Sequence, residues 1–233
     1  MAGNVILIKH AGSVTQCATA FDELMTESGP PEGLYTNLFI SHDQANNLIS
    51  NPRIKGVALT GSVSAGSSVT SSAGQNLKVS SMELDGSDAF IVIEDADLEK
   101  VVKSAIWGRM YNSGQTCYAA KRFIVIEELA DEFLENFQSE LSKFRPGDPI
   151  DKTTTLAPLS TDSALLGLIK KVNSAVKHGA KLLIGGKRCD HKGAFMQPTI
   201  LTGVSPYNAA YRDEFLDQLQ CFSVLKLKMK PLR

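Results

Sequence analysis

The sequence predicts an α/β fold in which helices cover a parallel sheet. Segments typical of strands alternate with segments typical of helices from the start: NVILIKH is followed by SVTQCATAFDELMTESG, and GLYTNLFIS by HDQANNLIS. Two parallel strands need a crossover connection, which is usually a helix, so this alternation favours a parallel sheet. The continuous apolar run of NVILIKH further predicts a buried strand.

Local signals place the ends of several helices. Ser13 followed by Gln16 predicts a capping box at the start of the first helix. Asp95 or Asp97 could cap the helix that precedes the strand RFIVIE. The next helix is predicted by apolar residues at helical spacing, which are Phe133, Leu134, Phe137, Leu141 and Phe144.

Composition narrows the class of partner. The 233 residues carry a formal net charge of −1, and the charged residues are interspersed, so no basic face suggests nucleic acid or a membrane surface. The four cysteines include no CxxC pair, which fits neither a disulfide framework nor a zinc site. No apolar run is long enough for a spanning helix. We therefore expect a cytoplasmic protein that acts on a small molecule.

Cys117 is the first candidate for chemistry. It stands in YNSGQTCYAAKRFIV, behind a turn of small polar residues and ahead of a strand. A nucleophilic cysteine needs a partly exposed, electropositive setting, and a glycine turn could present it in this way. Most lone cysteines are buried and inert, however, so spacing alone favours a core residue.

Three further features have a functional and a structural interpretation. Glu83 ends a predicted strand, where carboxylates can work as acids or bases, although most simply face solvent. The turn TGSVSAG, residues 60–66, joins a strand to a helix and could offer N–H groups to a phosphate or could only be a tight packing turn. Lys9, at a strand end, could meet a ribose or phosphate or be an ordinary surface lysine.

In combination these segments resemble the NAD(P)-dependent aldehyde dehydrogenase superfamily, and within it the succinate-semialdehyde dehydrogenases. The similarity runs from residue 1 to about residue 216. The segments that carry it are AGNVILIKHA, GPPEG, GVALTGSVSAG, MELDGSDAFIV, EDADLEK, NSGQTC, KRFIV, RPGDP, TTTLAPLS and AFMQPTIL. The resemblance implies a Rossmann-type parallel-sheet cofactor domain followed by an α/β catalytic domain.

The resemblance also assigns chemical roles. Cys117 would attack the aldehyde to give a thiohemiacetal, its backbone N–H would supply half of an oxyanion hole, and Glu83 would activate the water that hydrolyses the thioester. The cofactor would be NAD or NADP. Its contacts would come from Lys9 to the adenosine ribose, from Gly61, Ser62 and Gly66 in the turn at the pyrophosphate, and from Glu214 to the nicotinamide ribose. Gly12, three positions after Lys9, neither binds ribose hydroxyls nor repels a 2′-phosphate.

Departures from the family pattern lead to further expectations. We expect residues 1–84 to form a partial dinucleotide-binding domain that lacks its first strand, residues 85–215 a partial catalytic domain, and residues 216–233 a frameshifted tail. Asp85 replaces a family glycine, so we expect its charge to disfavour the thiolate of Cys117 and its side chain to conflict with a glycine-only backbone conformation.

These departures predict a weakly active or inactive copy. The alternative is a non-catalytic remnant that binds a nucleotide or a full-length relative. The family is homo-oligomeric, and we expect the elements that pair its subunits to be partly lost here.

Overall fold

The computed structural model describes residues 3–215 and 219–225. The chain divides into two compact units, Met1–Leu84 and Asp85–Arg233, and each is described by itself. The helices and strands of the first unit, in chain order, are β1 (Ile6–Ile8), α1 (Thr15–Glu27), β2 (Tyr35–Asn37), α2 (His42–Ser50), β3 (Gly56–Thr60), α3 (Val63–Gln75) and β4 (Val79–Glu83).

The first unit contains two separate parallel pairs of strands, β1 with β2 and β3 with β4. The expectation that NVILIKH is a buried strand is wrong, because Val5, Ile6 and Leu7 are 63%, 50% and 41% exposed. β1 is three residues long and pairs with β2 alone among the described strands. Its apolar side chains therefore lack the covering that a parallel sheet normally provides on both faces.

The second unit contains a five-stranded sheet with the order β5-β6-β9-β8-β7. Its elements are β5 (Ala89–Val92), α4 (Leu98–Met110), β6 (Arg122–Ile126), α5 (Glu127–Leu141), α6 (Asp162–Lys177), β7 (Lys181–Ile184), β8 (Thr199–Thr202) and β9 (Leu219–Leu225). Neighbouring strands are parallel except β7 and β8, which follow each other without an intervening helix and pair antiparallel. The α/β class predicted from the sequence is confirmed.

Helix α5 covers the sheet of the second unit through an aromatic cluster. Phe133 and Phe137 are 0% and 1% exposed, and the Phe137 ring centroid lies 5.0 Å from that of Phe123 on β6. Leu141, one turn further along α5, is also buried. The helical stripe read from the sequence is thus the face that packs on the sheet, as expected for an amphipathic helix.

Helix caps show where local sequence signals hold and where they fail. Asp97 is the cap of α4, since its Oδ1 accepts from Lys100 N at 3.3 Å. The capping box expected at Ser13 is wrong: residues 12–14 form a 3₁₀ turn and α1 begins at Thr15 without a side-chain cap. A capping box is found instead at α2, where Ser41 and Gln44 bond each other's backbone.

The segment expected to be a frameshifted tail falls only partly within the described residues. Residues 219–225 form β9, which lies between β6 and β8, and Cys221 on this strand is buried. The rest of that segment, residues 216–218 and 226–233, lies outside the described residues. In the part of the chain that the structure describes, no helix is both long and apolar enough to cross a membrane.

Candidate active site

A left-handed turn leads into the cysteine segment. Asn112 and Ser113 have φ angles of +51° and +56°, and Gly114 follows at +79°. Asparagine adopts this conformation more readily than other residues with a side chain, whereas for serine it costs about 1–3 kcal/mol. Three consecutive left-handed residues reverse the chain sharply after α4 and set the direction in which residues 115–120 leave.

Side-chain hydrogen bonds hold this turn against residues 157–160. Ser113 Oγ donates to Ala157 O at 2.9 Å. Gln115 Nε2 donates to Pro158 O at 3.4 Å, and Gln115 Oε1 accepts from Ser160 N at 2.8 Å. The segments NSGQTC and TTTLAPLS, which are distant in sequence, are therefore in direct contact. These hydrogen bonds hold the strained turn in place.

Cys117 itself lies in an exposed turn. Ala119 N donates to Thr116 O at 3.2 Å and closes the turn around the cysteine, whose side chain is exposed. Among the described residues, none accepts a hydrogen bond from the Cys117 N–H. An accessible thiol with a free amide beside it has the two features that nucleophilic attack on a carbonyl requires at one residue, namely the attacking atom and a donor for the developing oxyanion.

Two buried cations lie directly beneath the cysteine segment. Arg109 is 0% exposed and donates to Gly114 O at 2.7 Å, to Ala120 O at 3.0 Å and to Phe215 O at 3.2 Å. Lys121 is also 0% exposed, and its Nζ donates to Cys117 O at 2.5 Å. The carbonyl groups at 114, 117 and 120 thus point inward to fixed cations.

Glu214, which lies more than 90 positions later in the sequence, contacts Lys121 of this cluster. Its Oε1 lies 3.0 Å from Lys121 Nζ, and its backbone carbonyl accepts from Lys171 Nζ at 2.9 Å. Lys171 Nζ also lies 5.4 Å from the ring centroid of Phe215. The side chain of Glu214 is 6% exposed. The structure therefore brings Cys117 and Glu214 together through a single lysine.

In the first unit, Glu83 and the turn that follows β3 are neighbours. β3 and β4 pair so that Thr60 stands opposite Glu83, and Gly61 N donates to Glu83 O at 3.0 Å. The Glu83 side chain is exposed and has no hydrogen bond or ion pair with any residue that the structure describes. A carboxylate without a partner is free to accept a proton from water.

The start of α3 fits an anionic group. Ser62 is its N-cap and accepts from Ala65 N at 3.2 Å, and Gly66 N donates to Ser62 O. The N–H groups of Val63 and Ser64 point out of the helix end and have no acceptor among the described residues. Together with the helix dipole they would suit a pyrophosphate.

Close packing against Leu84 also bears on the glycine at position 66. A Cβ atom at this position would lie 2.5 Å from Leu84 Cδ2, so a larger residue would require the Leu84 side chain to move. Gly61 has no such constraint, since its nearest neighbour to a Cβ would be 3.8 Å away. The two glycines of the turn therefore differ: a side chain at position 66 would displace Leu84, whereas a Cβ at position 61 would make only ordinary van der Waals contacts.

Lys9 lies at the edge of a small hollow between β1 and α1. The hollow has a volume of about 190 Å³ and is lined by Lys9, His10, Ala11, Gly12, Thr15, Leu38, Phe39 and Ile40. Lys9 Nζ donates to His10 O at 3.2 Å, and His10 Nε2 lies 3.2 Å from the Tyr35 hydroxyl. None of these lining residues is acidic, so nothing in the hollow itself repels a phosphate.

The comparison with family models decides the identity of the fold. The model described as "Aldehyde dehydrogenase family" matches residues 1–216. The chain belongs to the aldehyde dehydrogenase family. This confirms the membership expected from the sequence, and the match ends where the resemblance was expected to end.

Curated relatives of this aldehyde dehydrogenase chain include succinate-semialdehyde dehydrogenases. It is 45% identical over 214 residues to "Succinate-semialdehyde dehydrogenase [NADP(+)]" of Deinococcus radiodurans. The aligned residues make up 92% of this chain and 45% of that protein. It is 43% identical over 215 residues to the probable enzyme of the same name from Synechocystis, covering 92% of this chain and 47% of that protein. The chain thus spans about half the length of these relatives.

Solved structures give the same result. The structure of Gox0499 superposes with a TM-score of 0.92 at 48% identity, over 97% of this chain and 50% of that one. The succinic semialdehyde dehydrogenase of Streptococcus pyogenes, solved with NADP+, has a TM-score of 0.92 at 40% identity over the same fractions. The aldehyde dehydrogenase fold is therefore present throughout the described residues.

Sequence reasoning missed the buried cations of this aldehyde dehydrogenase chain. Arg109 lies in α4 and carried no signal in the sequence. A signal was available in Lys121, a lysine between the small residues Ala119 and Ala120 and a predicted strand. The expected backbone conflict at Asp85 is wrong, because the non-glycine residues with positive φ among those described are Leu77, Asn112 and Ser113. Asp85 therefore occupies a conformation open to any residue.

Proposed function

We propose that this chain carries out the cysteine chemistry of an NADP-dependent succinate-semialdehyde dehydrogenase. The observation that carries the proposal is Cys117: an exposed thiol whose amide has no acceptor among the described residues, in a turn held from below by Lys121 and Arg109. Support for the substrate comes from relatives at 45% and 43% identity that are named as succinate-semialdehyde dehydrogenases.

The reaction assigns one task to each residue. Cys117 Sγ forms a bond to the aldehyde carbon, and the Cys117 N–H donates to the oxygen that becomes negatively charged. The hydride that leaves this carbon would pass to NADP+ when that cofactor is bound. Glu83 then accepts a proton from water, whose oxygen attacks the resulting thioester and releases Cys117 and the carboxylic acid. The thiol proton of Cys117 is released to solvent when Sγ attacks, so one aldehyde, one water and one NADP+ would give one carboxylic acid, one NADPH and one proton.

The proposed cofactor contacts follow the family resemblance residue by residue. The free N–H groups at the start of α3, beside Ser62 and Gly61, would hold the pyrophosphate. Lys9 would hold the adenosine ribose in the hollow at β1. Gly12 places no carboxylate there, so a 2′-phosphate meets no like charge, and this supports NADP over NAD. Glu214 would hydrogen-bond the nicotinamide ribose.

A spectrophotometric assay with a matched variant tests the proposal. We expect the purified chain to form NADPH from NADP+ and succinate semialdehyde at a low rate, in keeping with the weak activity that the departures from the family pattern predict, and we expect Cys117→Ala to abolish that rate. Cys17→Ala is the control, because Cys17 is an exposed cysteine in the other unit. A rate unaffected by Cys117→Ala would reject the mechanism.

The same samples distinguish catalysis from nucleotide binding alone. A rise in melting temperature with NADP+ but no NADPH formation would favour a nucleotide-binding role without turnover. We expect Val63→Pro to weaken the thermal shift, because proline is tolerated at the first position of a helix but lacks the N–H group that would hold the pyrophosphate. Neither a thermal shift nor NADPH formation would contradict the cofactor assignment.

A further inference from the structure

Among the residues that the structure describes, Lys121 contacts both Cys117 and Glu214. Its Nζ donates to Cys117 O at 2.5 Å and lies 3.0 Å from Glu214 Oε1. Its backbone is held as well, since Lys121 N donates to Asp88 O at 3.1 Å and Lys121 O accepts from Cys221 N at 3.0 Å. A side chain with 0% exposure and this many fixed contacts has little conformational freedom.

The contacts have a consequence for the cysteine. The Thr116–Ala119 turn has one backbone hydrogen bond of its own, and the Cys117 side chain is exposed to solvent. The donation from Lys121 to Cys117 O is therefore the contact that fixes the peptide carrying the thiol from the interior. Lys121, Arg109 and Glu214 together leave one net positive charge at this segment, and an electropositive setting is typical of reactive cysteines.

We propose that Lys121 is a positioning residue that fixes the Cys117 peptide relative to the Glu214 carboxylate. Lys121 does not touch the substrate, because it is fully buried. It acts through Cys117, whose thiol and amide keep a defined direction while Lys121 is in place. The link to Glu214 rests on the proposed function, in which that carboxylate meets the nicotinamide ribose.

The test measures the rate at which iodoacetamide alkylates Cys117, with Cys17 of the same molecule as the internal standard. Both side chains are exposed, and they lie in different units. Peptide mass spectrometry gives the ratio of the two rates. The alkylation assay uses neither aldehyde nor NADP+. Failure of the proposed function would appear as a lack of NADPH formation in the spectrophotometric assay, whereas failure of this inference would appear as an unchanged alkylation ratio.

Three variants separate positioning from a general effect on stability. Lys121→Met removes the contact with Cys117 and leaves Glu214 buried without its cation. Glu214→Gln keeps the contact with Cys117, and the double variant removes both charges together. Lys171→Met is the matched control, because Lys171 Nζ contacts the Glu214 backbone carbonyl but not Cys117.

We expect Lys121→Met to slow Cys117 alkylation relative to Cys17 by about tenfold, because the peptide that carries the thiol loses both its contact with the interior and the positive charge beside it. The double variant should recover thermal stability, since no unpaired buried charge remains, but not the alkylation rate. Glu214→Gln and Lys171→Met should leave the ratio within about twofold of the original chain.

An unchanged alkylation ratio in Lys121→Met would overturn the inference, and two further results would do so as well. One is an alkylation ratio in the double variant that returns to the original value together with stability. The other is a ratio that falls equally in Lys171→Met. If Lys121→Met does not fold, the double variant still decides the question.

Discussion

Lys121 Nζ and Glu214 Oε1 lie 3.0 Å apart, with the two side chains 0% and 6% exposed. The other ion pairs among the described residues have both partners at least 40% exposed. A buried pair of this kind contributes little net stability against an apolar pair, but removing one partner leaves an uncompensated charge. The pair therefore ties the stability of the second unit to the residues of the candidate site.

Breaking this pair should destabilise the second unit strongly. We expect Lys121→Met to lower the free energy of unfolding by about 3–5 kcal/mol, because Glu214 would stay buried without its cation. Urea denaturation followed by tryptophan fluorescence measures this, since the single tryptophan, Trp107, lies in the second unit. Lys143→Met, which breaks the exposed pair with Glu140, should leave the urea midpoint unchanged. Equal effects of the two variants would contradict a special role for the buried pair.

The left-handed turn before Cys117 predicts that a glycine variant of Ser113 is more stable than an alanine variant, which is unusual. Ser113→Ala and Ser113→Gly both remove the hydroxyl that donates to Ala157 O, but only glycine relieves the φ of +56°. We expect the glycine variant to be more stable than the alanine variant by about 1 kcal/mol. At Ser72, within helix α3, the same two substitutions should show the opposite order. Urea titration of all four variants measures both differences, and an alanine variant at position 113 as stable as the glycine variant would show that the turn carries no strain.

The aromatic cluster should dominate the core of the second unit. We expect Phe137→Ala to lower the free energy of unfolding by about 3–5 kcal/mol, because the ring is 1% exposed and stacks on Phe133 at 5.5 Å. Tyr118→Ala removes an aromatic ring that is 61% exposed and should change the urea midpoint much less. A similar loss in both variants would mean that the cluster is not the main source of stability.

The buried Cys221 predicts that the stability of the folded chain depends on pH in the alkaline range. Burial raises the pKa of its thiol from the ordinary value of 9.0 to about 12. Below about pH 9 the thiol is neutral in both states, and above it only the unfolded chain loses the proton, so stability falls as the pH rises towards 12, by up to about 1.4 kcal/mol per pH unit.

The variant Cys221→Ala should lack this contribution. Urea midpoints of the original chain and the variant, compared at about pH 8 and about pH 10, should diverge at the higher pH as the original chain loses stability. Parallel pH profiles of the two proteins would show that Cys221 is not buried in the folded state.

Local patterns predicted most of the second unit. The stripe of α5 is correct because three of its residues, Phe133, Phe137 and Leu141, pack on a sheet that the chain itself provides. The buried strand predicted for NVILIKH fails for a non-local reason: an apolar pattern reports what a strand could bury, and β1 finds one partner strand among those described. The capping box at Ser13 fails because a 3₁₀ turn occupies residues 12–14.

The site was predicted in part for similar reasons. Motifs pointed to Cys117 and Glu214 separately, but their connection depends on Lys121, whose burial follows from tertiary packing rather than from spacing. The neighbourhood of Glu83 and Gly61 arises from the register of β3 and β4, which sequence alone does not fix. The chemical roles of these residues remain predictions.

The most direct test of the central claim is the mass of the Cys117 peptide after reaction with succinate semialdehyde and NADP+, quenched in acid. Glu83→Gln should slow hydrolysis of the thioester and so let it accumulate. We expect a succinyl thioester on Cys117, dependent on NADP+, with none on Cys17. No acyl group on Cys117, or one attached to another residue, would contradict the assignment of Cys117 as the nucleophile.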